Sequence, residues 1–137
     1  MRSPESFFAV LAIALVGFAT GARATDPLTG TWATPPDGKG IYAHIEVKPC
    51  AGPDAGVCGV IARTYDQEDR LVHTRNLGVR ILWDMRPEGA NEWRGWAYVP
   101  LYRKTLKGRI SLESRRHIRV GGCIGPVCKS QDWARVW

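Results

Sequence analysis

The chain has 137 residues, a formal net charge of +6 and a hydrophobic fraction of 45%. A length of this order holds one domain, since domains typically have about 100–150 residues, and it excludes a multidomain enzyme. The sequence contains no internal repeat and no low-complexity tract, so solenoid and disordered classes are excluded as well.

The N-terminus has the pattern of a secretory signal peptide. Arg2 precedes an apolar stretch from Phe7 to Phe18, and Ala22-Arg23-Ala24 matches the small-x-small pattern that signal peptidase cleaves. The apolar stretch is well short of the ~20 residues needed to span a bilayer. We therefore expect cleavage of residues 1–24, leaving residues 25–137 as a single domain without a transmembrane segment, exported to the periplasm or secreted.

Charge is unevenly distributed along the predicted mature chain. Residues 25–99 carry eight Lys or Arg and ten Asp or Glu, whereas residues 100–137 carry nine basic and two acidic side chains. An excess of positive charge in the C-terminal part can attract an anionic partner. In an exported protein we expect that partner to be an anionic envelope component rather than nucleic acid. The alternative is a solvated basic face.

The four cysteines stand in two local pairs, Cys50 with Cys58 and Cys123 with Cys128. Export exposes cysteines to oxidising surroundings, so disulfides are expected. Four cysteines permit three connectivities, and we favour the local bonds because each pair brackets a turn-rich loop, AGPDAGV or IGPV. The spacing of the first pair and the lack of a nearby histidine argue against a zinc site. The C-x-x-C motif of redox proteins is absent.

Most of the chain after residue 25 alternates apolar and polar residues with a period of two, which is typical of β-strands. Predicted faces are Ile41, Ala43, Ile45 and Val47; Val79, Ile81, Trp83 and Met85; and Leu106, Gly108, Ile110 and Leu112. Eight strands are predicted, near residues 30–34, 40–48, 57–65, 78–85, 92–99, 105–113, 117–122 and 131–136. The polar segment from Asp66 to Gly78 is predicted as a long loop or a single helical turn.

Short antiparallel strands at this spacing indicate an all-β sandwich or a small up-and-down barrel. The two ends of the chain favour the barrel, because Gly30-x-Trp32 and Trp133-x-Arg135 resemble the lipocalin-type (calycin) arrangement. In that arrangement an arginine of the last strand meets the tryptophan of the first. A guanidinium stacked on an indole contributes about 0.5–2 kcal/mol. We expect Gly30, Trp32, Trp133 and Arg135 to close the barrel.

Further motifs occur in a fixed order along the chain. They are Gly30-x-Trp32, Cys58-Gly59, Leu77-Gly78 before Ile81-Leu82, Trp93-x-Gly95, Gly122-Cys123 and Ser130-Gln131-x-Trp133-x-Arg135. This order is similar to that of a family of small exported bacterial proteins, domain of unknown function 2147. The resemblance implies a lipocalin-like barrel in the periplasm, and it implies no particular activity.

The most site-like residues of the sequence are aromatic and basic: Trp93, Arg94, Trp96, Tyr98, Tyr102 and Arg103. Such groups suit the stacking of a flat, carbohydrate or amphipathic ligand. An eight-stranded barrel encloses space for side chains or for one small ligand. We therefore expect a non-catalytic binding protein for a small or amphipathic ligand. The alternative for these residues is that Trp93 belongs to the core and Trp96 covers an apolar patch.

A second hypothesis is an envelope interaction protein that binds an anionic surface through its C-terminal half. The candidate residues are Lys107, Arg109, Arg115, Arg116 and Arg119. If two strands pair as a hairpin around Ser114–Arg116, these charges gather on the barrel exterior. Contact with a polyanion would weaken as salt screens the charges.

The third and least favoured hypothesis is that the protein is an enzyme, specifically a hydrolase. The histidines are His44, His73 and His117, and none stands beside a cysteine or serine that it would activate. No Gly-x-Ser-x-Gly or His-Glu-x-x-His motif is present. His44 and Glu46 lie two apart on one predicted strand face, where they could touch a common ligand. We predict no catalytic residue, no cofactor, no metal and a monomer.

Overall fold

The computed structural model describes residues 12–18, 25–52 and 55–137. Within these residues the chain forms nine β-strands and no helix. The strands are Gly30–Ala33 (β1), Tyr42–Pro49 (β2), Val57–Tyr65 (β3), Leu71–Val72 (β4), Arg80–Pro87 (β5), Glu92–Val99 (β6), Lys104–Ser114 (β7), His117–Ile124 (β8) and Val127–Arg135 (β9). The predicted signal peptide, residues 1–24, and its cleavage position lie mainly outside the described residues. In the described part of the chain, no helix has the length and apolar character to cross a membrane.

Eight strands close into an antiparallel barrel. Their order around it is β1, β2, β3, β5, β6, β7, β8 and β9, and the ring closes where Trp32 of β1 lies opposite Arg135 of β9. β4 is a two-residue strand that extends the sheet beside the end of β3. The predicted all-β, lipocalin-like barrel of about eight strands is confirmed, with β4 as an addition to it.

Because successive barrel strands alternate in direction, their connections divide between two ends. The segment before β1 and the β2–β3, β5–β6 and β7–β8 connections lie at one end, which we call the closed end. The β1–β2, β3–β5, β6–β7 and β8–β9 connections lie at the other, which we call the tip end. Leu28 is fully buried at the closed end, where its carbonyl accepts a hydrogen bond of 2.9 Å from the Trp32 indole.

Side chains fill the interior of the barrel. Among the most buried are Trp32, Ile45, Met85, Ile110 and Ile118. Small inward residues leave room for large neighbours: a Cβ atom added to Gly108 would lie 2.7 Å from Met85 Cε, and one added to Gly122 would collide with Leu106. The inward faces predicted for β2 and β7 agree with this packed core.

The predicted face of β5 is correct for Ile81 and Met85, which are buried, and wrong for Trp83. Trp83 lies opposite the exposed Trp96 on the barrel exterior, because a β-bulge interrupts the strand between Trp83 and Arg86. Asp84 has a positive φ of 53° between them. An extra residue shifts the alternation by one position. Gly95 faces the bulge, and a Cβ atom there would lie 2.5 Å from the Asp84 carbonyl oxygen.

The segment from Asp66 to Gly78 was predicted as a loop or helical turn, and it contains β4 between two turns. Asp66 Oδ1 accepts hydrogen bonds from the amides of Arg70 at 3.0 Å and Glu68 at 2.9 Å. These bonds, that of Arg70 foremost, lower the pKa of the Asp66 carboxyl. The Thr64 hydroxyl donates to the Val72 carbonyl at 2.7 Å. Hydrogen bonds to the Asp66 side chain thus stabilise a tight turn, and the helical turn that was one alternative does not form.

Both favoured disulfides are confirmed: Cys50 is bonded to Cys58, and Cys123 to Cys128. The first lies at the closed end, between the end of β2 and the start of β3. The second joins opposite residues of β8 and β9 next to their turn. Pairing of β7 with β8 ends at Gly108 and Gly122, so residues 123–128 form a two-stranded ribbon at the tip end that is not paired with β7.

Candidate functional site

Arg135 and Trp32 meet at the closed end. The Arg135 guanidinium carbon lies 4.2 Å from the centroid of the Trp32 ring. Its nitrogens donate to the carbonyl oxygens of Pro27 at 2.6 Å, Arg115 at 2.7 Å and Thr29 at 2.9 Å. Burial lowers the pKa of this guanidinium from its ordinary value. The arrangement joins the first strand, the last strand and the β7–β8 turn, which is a structural role.

The other two residues expected at barrel closure pack beside this contact. Trp133 is 3% exposed, and its indole donates to Gln131 Oε1 at 3.1 Å. At Gly30, which has a φ of 144°, an added Cβ atom would lie 2.6 Å from Arg135 Nη1. Only glycine leaves room for the guanidinium at this position.

The residues predicted as a ligand cluster do not converge on one pocket. Trp93 is 4% exposed inside the barrel, where its indole donates to Asp26 Oδ2 at 3.1 Å. Tyr98 is half-buried and packs against the core. Arg94 and Trp96 lie on the outer face of β6, with Arg94 ion-paired to Glu88 at 3.1 Å. The remaining two, Tyr102 and Arg103, are exposed in the β6–β7 loop.

Two of the predicted polyanion-binding residues adjoin this outer face. Lys107 lies directly opposite Trp96, and Arg109 lies directly opposite Arg94. Residues opposite each other in adjacent strands share a face of the sheet. The barrel therefore brings members of the two predicted sites together on the outside of β6 and β7.

The other three predicted polyanion-binding residues lie elsewhere or are already paired. Arg119 Nε is 3.2 Å from Asp132 Oδ1, and its Nη1 is 4.0 Å from Glu113 Oε1. Arg115 and Arg116 form the β7–β8 turn at the closed end. This turn is far from the tip end, because the stretch of β7 from Lys107 to Glu113 lies between them.

The tip end carries exposed apolar side chains on neighbouring hairpins. Leu101 and Tyr102 in the β6–β7 loop are 81% and 50% exposed, and Ile124 and Val127 in the β8–β9 ribbon are 44% and 57% exposed. Ile124 lies directly opposite Val127. We call these four residues the tip patch. Apolar side chains grouped in this way on a protein surface indicate a contact site.

Four exposed basic side chains lie on the same two hairpins as the tip patch, and we call them the basic collar. They are Arg103, Lys104, Lys107 and Lys129, all exposed. Among the described residues, none of the four forms a salt bridge. The charge asymmetry predicted from the sequence thus places basic side chains on the two hairpins that carry the exposed apolar residues, which suits an anionic, amphipathic partner.

Half of this surface was not singled out in the sequence. Tyr102, Arg103 and Lys107 were predicted site residues and Lys104 was counted in the basic C-terminal half, whereas Leu101, Ile124, Val127 and Lys129 were not singled out. The available signal was an apolar residue on each side of Gly125-Pro126 and after Pro100, where turns are expected. That signal does not distinguish an exposed tip from one covered by another part of the fold.

The fold and this surface define a small, disulfide-bonded, lipocalin-like β-barrel with an apolar and basic tip. The chain matches the family described as an uncharacterized protein conserved in bacteria (DUF2147) over residues 30–135, and it belongs to that family. Comparisons with curated proteins and with solved structures return no significant match. In the described residues no group of three or more His, Cys, Asp or Glu side chains is placed to hold a metal ion.

Proposed function

We propose that this protein is exported and binds the surface of an anionic lipid layer through its tip patch and basic collar, without catalysis. The observation that carries the proposal is the joint placement of Leu101, Tyr102, Ile124 and Val127 with four basic side chains at one end of the barrel. The predicted signal peptide and the two disulfides support an extracytoplasmic location.

Both components of the surface contribute to such binding. A basic side chain near an anionic bilayer contributes about 1 kcal/mol. Full burial of a leucine or isoleucine side chain contributes about 1.5–3 kcal/mol, of which a shallow interfacial contact recovers a part. Ile124 and Val127 stand on a short ribbon held by a disulfide, so little chain entropy is lost when they enter the interface.

A surface contact is favoured over a ligand inside the barrel because the interior is packed. Trp32 is fully buried at the closed end, Met85 and Ile110 are buried further inside, and Leu106 packs against Gly122 toward the tip end. A lipid surface is favoured over a purely ionic polymer because half of the surface is apolar. The expectation of an amphipathic ligand and that of an anionic envelope partner thus combine in one proposal.

The test is co-sedimentation of the oxidised mature protein with vesicles. We expect binding to vesicles that contain phosphatidylglycerol and little binding to vesicles of phosphatidylcholine alone, with a loss of affinity as salt rises. The double variant Lys104→Gln, Lys107→Gln should bind roughly 30-fold more weakly, from about 1 kcal/mol for each charge. The double variant Leu101→Ser, Ile124→Ser should also bind more weakly, because it removes apolar contacts.

The matched control is Arg115→Gln, Arg116→Gln, which removes two charges at the closed end. It should bind like the unchanged protein. Equal losses in the two charge variants would show that only net charge matters and would overturn the assigned surface. Absence of binding to phosphatidylglycerol vesicles at low salt would overturn the proposal as a whole.

A further inference from the structure

The outer face of β2 and β3, across the barrel from β7, carries a run of aromatic rings. Tyr42 and Tyr65 are stacked with ring centroids 5.2 Å apart, and the His44 ring lies 4.6 Å from that of Tyr65. The Trp137 ring approaches His44 edge-on at 6.3 Å. The run therefore continues from the tip end of these strands toward the closed end.

Strand register and the end of β9 assemble this face. Tyr42 lies opposite Tyr65, and His44 lies opposite Arg63. After β9 the chain stays beside β1, where the Val136 amide donates to the Thr31 carbonyl at 2.8 Å and the Thr31 amide donates to the Trp137 carbonyl at 2.7 Å. Backbone hydrogen bonds thus position the Trp137 side chain, which is 69% exposed.

Polar groups beside these rings have unused bonding capacity. The Arg63 guanidinium carbon lies 5.9 Å from the centroid of the Trp137 ring, and no carboxylate of the described residues is within salt-bridge distance of it. His44 Nδ1 and Thr29 Oγ1 are buried atoms without a hydrogen-bond partner in the described structure. Buried polar atoms without partners are uncommon, and a bound molecule is one way to satisfy them.

Thr29, Arg63 and Trp137 border an open depression of about 400 Å³, and His44 packs beside it against Trp137. Its lining includes Thr29, Thr31, Glu46, Lys48, Arg63 and Trp137. Glu46 and Lys48 are 3.5 Å apart and balance each other, and Arg63 adds a positive charge beside the Trp137 ring. Burial, and then the neighbouring Arg63, lower the pKa of His44, which keeps this imidazole neutral at neutral pH.

We propose that this depression is a binding site for an acidic saccharide, with a sugar ring against the exposed Trp137 indole and a carboxylate on Arg63. The indole provides a flat apolar face, and a guanidinium binds carboxylates in a two-point geometry. The hydroxyl groups of Thr29 and Thr31 and the carboxylate of Glu46 are suited to sugar hydroxyls. Arg63 distinguishes an acidic saccharide from a neutral one. The site is separate from the lipid-binding surface proposed above.

The test compares two trisaccharides that differ in charge, a β-1,4-linked trimer of glucuronic acid and the corresponding trimer of glucose. Each is titrated into the ¹⁵N-labelled mature protein and followed by NMR. We expect the glucuronic acid trimer to shift the Trp137 indole resonance and the amides of residues 29–31 and 44–48, with at least about tenfold higher affinity than the glucose trimer.

Two variants and two controls separate the contributions. Trp137→Ala should abolish binding of both trimers, and Arg63→Gln should remove the preference for the acidic one. The controls, Trp96→Ala and Arg109→Gln, change the same residue types on the outside of β6 and β7 and should bind like the unchanged protein. Thermal unfolding verifies that each variant is folded.

Three results would overturn the proposal. They are the lack of a shift at Trp137 with either trimer, equal affinity for the two trimers, or an equal loss in the Arg109→Gln control. Shifts confined to the tip end would assign the saccharide to the basic collar instead. The three overturning results do not bear on vesicle binding, so failure of the saccharide proposal leaves the lipid proposal standing.

Discussion

Arg135 satisfies carbonyl groups that the chain leaves unpaired as it enters the barrel. Its side chain binds the carbonyls of Pro27 and Thr29 before β1 and that of Arg115 in the β7–β8 turn. The same guanidinium covers the Trp32 ring at 4.2 Å. One residue therefore holds three separate parts of the chain at the closed end.

We expect Arg135→Ala to destabilise the protein by about 2–4 kcal/mol, since it removes a cation–π contact and hydrogen bonds from a charged donor. For a domain of this size that lowers Tm by roughly 10 °C. Arg116→Ala, a nearby exposed arginine, should be nearly neutral. Differential scanning calorimetry of both variants is the measurement. Equal and small shifts would contradict the closure role.

His44 makes stability depend on pH in a defined direction. Its pKa in the folded protein is lowered from 6.5, first by burial and second by Arg63. The unfolded chain therefore binds a proton more readily than the folded one, and stability falls as pH decreases through 6.5 toward the folded pKa. Above 6.5 this contribution is constant.

The variant His44→Gln lacks the titrating group. The measurement is urea unfolding at several pH values from about 5 to about 8, on both sides of the ordinary histidine pKa. On acidification the free energy of unfolding should fall less for the variant than for the unchanged protein. Parallel curves would mean that other groups account for the pH dependence.

At the scale of elements, β5 contains a bulge and the β8–β9 hairpin separates from β7, and both irregularities affect the surface. The Asp84 bulge keeps Met85 in the core while Trp83 remains outside. The β8–β9 hairpin separates from β7 at its tip, since its last pairing with β7 is at Gly122. Bulges and hairpin tips are common where a fold presents side chains to a partner.

The two disulfides should therefore contribute differently to stability. Replacing Cys50 and Cys58 by serine removes a bond next to the buried Val57, and we expect a loss of about 2 kcal/mol. Replacing Cys123 and Cys128 loosens a ribbon that contacts neither β7 nor β1 beyond Gly122, so the loss of global stability should be much smaller.

Hydrogen exchange distinguishes these outcomes. In the Cys123→Ser, Cys128→Ser variant, amides of residues 123–128 should exchange faster while those of β2 and β3 stay protected. In the Cys50→Ser, Cys58→Ser variant, exchange should increase across the barrel. A Tm loss of equal size in the two variants would contradict a locally folded ribbon.

At the scale of the whole molecule, a packed barrel leaves function to its exterior. The closed end is occupied by Leu28 and Trp32, and the core extends through the barrel. The proposed lipid-binding surface lies at the tip end, and the proposed saccharide site lies on the outside of β1, β2 and β3. Together the two proposals place an acidic saccharide near the end of the barrel that is away from the lipid surface.

Several features of this molecule follow from the sequence by itself. Period-two alternation specifies most strands, because one face of each must be buried. Local loops specify the disulfide pairing, since cysteines bracketing a short turn are already close. The chain-end motifs Gly30-x-Trp32 and Trp133-x-Arg135 specify that the first and last strands meet.

Other features were decided only by the tertiary structure. Register determined that Trp96 faces Lys107, that His44 faces Arg63, and that Trp93 is core rather than part of a surface cluster. The bulge at Asp84 has no marker in an alternating pattern. Which hairpins end together, and which apolar residues no other element covers, depend on contacts between residues distant in sequence. A local pattern carries no information about those contacts, so the tip patch and the Trp137 site became visible only in the closed barrel.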